Sequence, residues 1–138
     1  VEVVVDILNR VDRATEKTIL DGLDNEYPDL AEEIRKHMLV FEDLVRLDPR
    51  SMQRVIREVD VKQWALALKI ASDDVTNHVF ANMSQRMVEL VQEEIGYLGL
   101  VRLSEVEDAQ QEIVNLIRHL EEIGEVTVAR SEEDEVFV

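Results

Sequence analysis

Residues 84–98 read SQRMVELVQEEIGYL, and the rest of the chain is organised around them. Ser84 can accept a hydrogen bond from the free amides of a first helical turn, so it predicts an N-cap. At about 100° per residue, Met87, Val91, Ile95 and Leu98 fall on one stripe with Val88 beside it, and that stripe is expected to be buried. Measured from Arg86, the same wheel sets Glu93 about 20° away, Glu89 about 60° and Glu94 about 80°. The outer face therefore carries alternating charge on a helix whose other side is anchored. Such a ridge is either a solvated face or a contact face.

Working outward, nearly every segment reads helical, with glycine and proline at the joints: Gly22, Pro28, Pro49, Gly96, Gly99 and Gly124. Upstream, Ser72 caps a helix over Asp73–Met83, whose acidic first turn suits the helix dipole. Asp60 caps VKQWALALKIA, residues 61–71, with Trp64, Ala67, Leu68 and Ala71 inward. Asp48 caps a helix that opens on Pro49 and turns Met52, Val55, Ile56 and Val59 inward. Phe41–Leu47 is a short helix, preceded by the apolar joint Met38, Leu39, Val40, Phe41. Before it come three short amphipathic helices: Val3 to about Val11, a second capped by Asp12 or Thr15 and running to about Leu23, and Asp29–His37 opened by Pro28. Three such helices in so short a span follow the pattern of a helical repeat. Downstream, Ser104-x-x-Glu107 is a capping box for a long helix with Val106, Ala109, Ile113, Leu116, Ile117 and Leu120 inward and Gly124 as its stop. Residues Glu125–Ala129 alternate like a short strand without an obvious partner, and the acidic tail 131–138 is expected to be mobile.

Composition narrows the function. The chain has 138 residues, 46% hydrophobic and 33% charged, which suits one compact domain or two small helical modules. It contains no cysteine, which excludes disulfides and thiolate metal sites. Its net charge of −16, from 31 acids against 15 bases, disfavours nucleic acid and anionic membrane surfaces. Cationic protein surfaces are the natural partners of such a body. No apolar run approaches a membrane span; the longest, near Trp64–Leu68, stops at Lys69, so no membrane insertion is expected. The sequence opens on Val1 with no signal-like segment and reads as a piece of a longer protein.

Catalytic signatures are missing. No glycine-rich phosphate loop and no twelve-residue calcium loop occur. His37, His78 and His119 follow Ile34, Val75 and Leu116 by three residues, so the Glu-x-x-His pair of helical di-metal sites is absent. The acid pairs Glu32–Glu33, Asp73–Asp74, Glu93–Glu94 and Glu121–Glu122 point about 100° apart on helices, unlike a convergent carboxylate dyad. A non-enzymatic protein without metal or cofactor is expected.

Five stretches in register, HMLVFEDL (37–44), DPRSMQRVIREVD (48–60), ALALK (65–69), NMSQR (82–86) and VRLSEVEDAQQEIV (101–114), resemble the C-terminal part of the FliG family of bacterial flagellar motor switch proteins. The resemblance implies an all-α fold: a C-terminal armadillo-like module at 1–37, a hydrophobic joint at 38–41 and a six-helix torque-bearing domain at 42–130, a right-handed superhelical helical-repeat arrangement. It further implies a rotor ring on the cytoplasmic side of the inner membrane, with the stator protein MotA, the switch protein FliM and neighbouring FliG subunits as partners. Matched motif by motif, the stator-facing charges are Lys69, Arg86, Glu93, Glu94 and Arg102. The joint Met38–Phe41 is implied to reorient the torque helix during switching. Apolar residues of the first module, with Ile7, Leu8, Ile19, Leu20 and Leu23 as candidates, are left to stack on a neighbouring subunit or hold FliM. Leu39 stands where the family usually has phenylalanine, Ile70 where it has glycine and Leu100 where it has proline. The competing reading is a generic helical-repeat adaptor that holds a peptide in the groove of the first module.

Overall fold

The computed structural model describes residues 2–11 and 13–129; the candidate cap Asp12 and the tail 131–138 lie outside the described residues. Regular structure among the described residues is helical save for one isolated bridge, and the chain divides into two compact units, Val1–Leu39 and Val40–Val138.

The first unit contains α1 (Glu2–Arg10), α2 (Arg13–Glu26) and α3 (Pro28–His37), with α3 packed against both others. Val5, Leu8, Leu20 and Ile34 form its core, and Val4, Val11, Leu23 and Met38 pack around them. Helix α2 runs through Gly22 to Glu26 rather than stopping near Leu23, and Thr15 lies within it rather than at its cap. A helical glycine costs only about 1 kcal/mol against alanine, too little to end a helix whose ladder continues to Tyr27 N–H···O=C Leu23 at 2.6 Å. The stop is Pro28, which forces the preceding residue out of the helical region (Tyr27 φ −139, ψ 67). Arg35 grips the Asp24 carboxylate with both guanidinium nitrogens, at 2.6 and 2.7 Å, and these bonds hold that carboxyl below the ordinary aspartate range.

The second unit begins with a 3-10 helix, Phe41–Arg46, followed by α4 (Pro49–Glu58), α5 (Val61–Leu68), α6 (Asp73–Ala81), α7 (Gln85–Leu98) and α8 (Leu103–Glu122). Helix α8 is the spine: α4, α5 and the 3-10 helix pack on it, while α7 packs on α5 and α6 on the 3-10 helix. Leu44, Met52, Val55, Trp64, Val75, Val79, Val91, Ile113 and Ile117 are fully buried. The expected caps form at Asp48, Asp60, Ser72 and Ser84, whose side chains accept from Ser51, Gln63, Val75 and Met87 N–H.

Asp48 supplies a pH prediction. The Ser51 amide, then the Ser51 side chain, hold its carboxyl below the ordinary aspartate value. A folded-state pKa below the unfolded one means stability that is present above the unfolded pKa and lost as pH falls through the folded one. Asp48→Ala should therefore lower stability by about 1 kcal/mol at neutral pH. The gap between the two proteins should close below about pH 4, as the native carboxyl protonates. Urea unfolding across that range measures both.

Two sequence expectations fail at the ends of α8. Ser104 and Glu107 do not cap it: the helix begins at Leu103, Arg102 occupies the N-cap position without a side-chain bond, and its carbonyl takes the amides of Glu105 (3.0 Å) and Val106 (3.4 Å). The chain leaves α7 through Gly99 in the left-handed region (φ 58) and then extends to Arg102, so the backbone enters its helix earlier than the capping motif marks. At the other end Gly124 (φ 79) stops α8 as expected. The following segment does have a partner. Val128 pairs with Leu47 in an antiparallel bridge, Thr127 N–H donates to Ser51 Oγ at 3.0 Å, and Val126 and Val128 are buried. Helix α5 also ends at Leu68, before Lys-Ile-Ala, and α6 ends at Ala81.

Candidate interaction surface on α7

Helix α7 is set by a cap at one end and a glycine at the other. Ser84 Oγ accepts from Met87 N–H at 3.2 Å, and Gly99 ends the helix with a positive φ that a side chain would resist. Its inner stripe is buried less deeply than periodicity predicts: Val91 is fully enclosed, while Met87, Val88, Ile95 and Leu98 are half-buried. The helix packs against α5, and Val91 near its midpoint is its one fully buried residue.

Arg86 and Glu93 are both exposed. They stand seven residues apart on one face, about 10 Å along the axis. Glu94 is half-buried, nearer the protein than the other two. Lys69, at the C-cap of α5, donates from Nζ to the Gly99 carbonyl, so it meets the far end of α7, three residues from the exposed Arg102. Ile70, in place of a glycine, is exposed in the bend after α5, and Leu100, in place of a proline, is fully exposed.

Charge is only part of this face. Leu90 (39% exposed) and Tyr97 (76%) fall between and beyond the charges at 86, 90, 93, 97, the spacing of one helical stripe. Tyr97 Oη donates to Glu93 at 3.4 Å. Charge alone does not single out these two residues, but the same wheel that joins Arg86 to Glu93 includes them.

The joint residues separate. Met38 packs on the core of the first unit, Leu39 and Phe41 are buried, and Val40 is 54% exposed. The boundary between the compact units falls between Leu39 and Val40. Of the stacking candidates, Ile7 and Ile19 are exposed, but Leu8 and Leu20 fill the core and Leu23 packs beside it. Leu8 and Leu20 are enclosed within their own unit, which leaves Ile7 and Ile19 as the exposed members of the set. The exposed apolar residues of this unit also include Val3, Tyr27 and Leu30. Among the described residues no group of three acids or histidines is placed to hold a metal ion, and no helix is long and apolar enough to cross a membrane.

Comparison with known proteins gives a consistent result. The sequence profile of the FliG C-terminal domain matches residues 21–128. The chain is 56% identical over 138 residues to the flagellar motor switch protein FliG of Bacillus subtilis (strain 168), covering 100% of this chain and 41% of that protein. It is 50% identical to the FliG of Thermotoga maritima over the same length, again covering 41% of that protein. The chain thus spans about two fifths of the length of these relatives. Among solved structures, the crystal structure of FliG residues 86–343 from H. pylori superposes with a TM-score of 0.80 at 34% identity, covering 91% of this chain and 59% of the other. Full-length FliG from Aquifex aeolicus superposes with a TM-score of 0.63 at 35% identity, covering 91% and 39%.

Proposed function

This chain belongs to the FliG C-terminal domain family, and from that premise we propose that it is the torque-receiving part of a flagellar rotor subunit. In this reading the MotA stator grips the outer face of α7 through Arg86, Glu93 and Glu94, with Lys69 and Arg102 completing the contact beyond its C-terminal end. FliM and neighbouring subunits engage the rest of the rotor, at the cytoplasmic face of the inner membrane. The observation that carries the reading is the exposure of Arg86 and Glu93 on one face of a helix capped at both ends and docked at Val91. Exposed ion pairs are worth only about 0–1 kcal/mol, which suits a stator that must engage and release each subunit in turn, because weak contacts dissociate fast.

Switching is the second part of the proposal. Met38–Phe41 joins the two compact units and serves as the place where the torque unit reorients to set the direction of rotation. Ile7 and Ile19 are the candidates for stacking on a neighbouring subunit. Leu8 and Leu20 are buried in the core of their own unit.

The test is charge reversal in the full-length protein in flagellated cells. Arg86→Glu combined with Glu93→Lys and Glu94→Lys should abolish swimming while filaments still assemble, and a matching reversal in the stator loop should restore part of it. Unimpaired swimming in the triple variant would remove α7 from torque transfer.

A further inference from the structure

The torque unit carries a second surface with an unusual charge for so acidic a chain. Arg50 and Arg57 share one face of α4, seven residues apart. They line a groove of about 620 Å³ whose walls include Ile56, Val59, Met83 and Met87. Both arginines are exposed, and neither makes an ion pair or hydrogen bond among the described residues. Arg54, on the adjoining face, is by contrast held between Glu58 (2.6 Å) and Glu125 (2.8 Å). Two guanidinium groups without an ion pair, Arg50 lying only within electrostatic range of Asp48, stand beside an apolar wall and suit an acidic segment that also carries apolar side chains.

The sequence contains such a segment within reach. Residues 131–138 read SEEDEVFV: four acids, Glu132 to Glu135, followed by Val136, Phe137 and Val138. The residue that leads into it, Ala129, is tied by backbone to Arg46, donating to its carbonyl at 3.4 Å and accepting from its guanidinium at 3.3 Å. Arg46 stands four residues before Arg50. An extended chain covers at most about 3.3 Å per residue, so the four acids can reach up to roughly 10–20 Å from Ala129. Arg50 and Arg57 are separated by about 10 Å of helix.

We propose that the groove between α4 and the α6–α7 connection binds the acidic–apolar segment 131–138 of the same chain. The acids meet Arg50 and Arg57, and Phe137 with its flanking valines meets the methionine-lined wall. A short tether gives an effective concentration of about millimolar, so individually weak contacts suffice. Because Ser84 and Met87 also line the groove, the occupant touches the first turn of α7. This inference concerns a different surface from the stator contact and stands or falls without it.

The chain has no cysteine, so Val138→Cys takes a single nitroxide label. In the isotope-enriched full chain at low salt, paramagnetic broadening should concentrate on the amides of Arg57, Met83 and Met87. It should be lost in an Arg50→Glu/Arg57→Glu variant whose amide spectrum is otherwise unchanged, and weakened by salt. Broadening spread evenly over the surface, or unaltered by the double reversal, overturns the proposal. Broadening seen when labelled chains are mixed with enriched unlabelled ones overturns its intramolecular form, since the occupant would then come from a second copy.

Discussion

Val91→Asp is expected to undock α7 and to abolish torque transfer without touching a single charge on its outer face. Val91 is the residue of α7 that is fully enclosed, and its stripe neighbours are only partly buried. An uncompensated carboxylate at that point costs about 3–5 kcal/mol, a large share of the roughly 5–15 kcal/mol that holds a domain together. Urea unfolding should show the unfolding free energy falling by that amount, seen as a lower midpoint at unchanged slope, and cells carrying the variant should stop swimming. Arg86→Glu provides the contrast: its side chain is exposed, so it should stop torque transfer with the unfolding midpoint unchanged. A Val91→Asp protein with the original midpoint would show that α7 is held by something other than this contact.

Trp64→Ala should be the most damaging single truncation. Trp64 lies fully buried on α5, the helix that packs on both α7 and α8. Emptying it leaves a cavity in the core of this unit, and a loss of about 3–5 kcal/mol is expected. Trp64→Phe should cost much less. It keeps most of the volume and removes a buried indole N–H that has no hydrogen-bond partner among the described residues. As this is the chain's one tryptophan, the comparison must be read by far-UV circular dichroism rather than fluorescence. Equal losses for alanine and phenylalanine would show that the site is valued for the indole nitrogen and not for its volume.

Local signals were legible wherever a short-range bond decides the outcome. Asp48, Asp60, Ser72 and Ser84 were readable as caps because the acceptor and the amide it satisfies lie three residues apart. Gly124 was readable because a positive φ restricts the residue type. Gly22 and the Ser104–Glu107 box misled for the same reason in reverse: each is a permissive local preference of about 1 kcal/mol, overruled by the backbone path around it.

By itself the sequence determined the helical grammar, the acidic character, the outward pairing of Arg86 with Glu93 and the resemblance that names the family, since all of these are set by residue type and by spacing within one helix. Only the tertiary structure decided which parts of each apolar stripe are sealed. It put Leu8 and Leu20 in a core and left Ile7 and Ile19 outside, made Val91 the single fully buried point of α7, and gave Val128 its partner in Leu47. Periodicity reports the direction in which a side chain points, whereas burial depends on which distant element arrives to cover it, and that information is carried by no window of neighbouring residues.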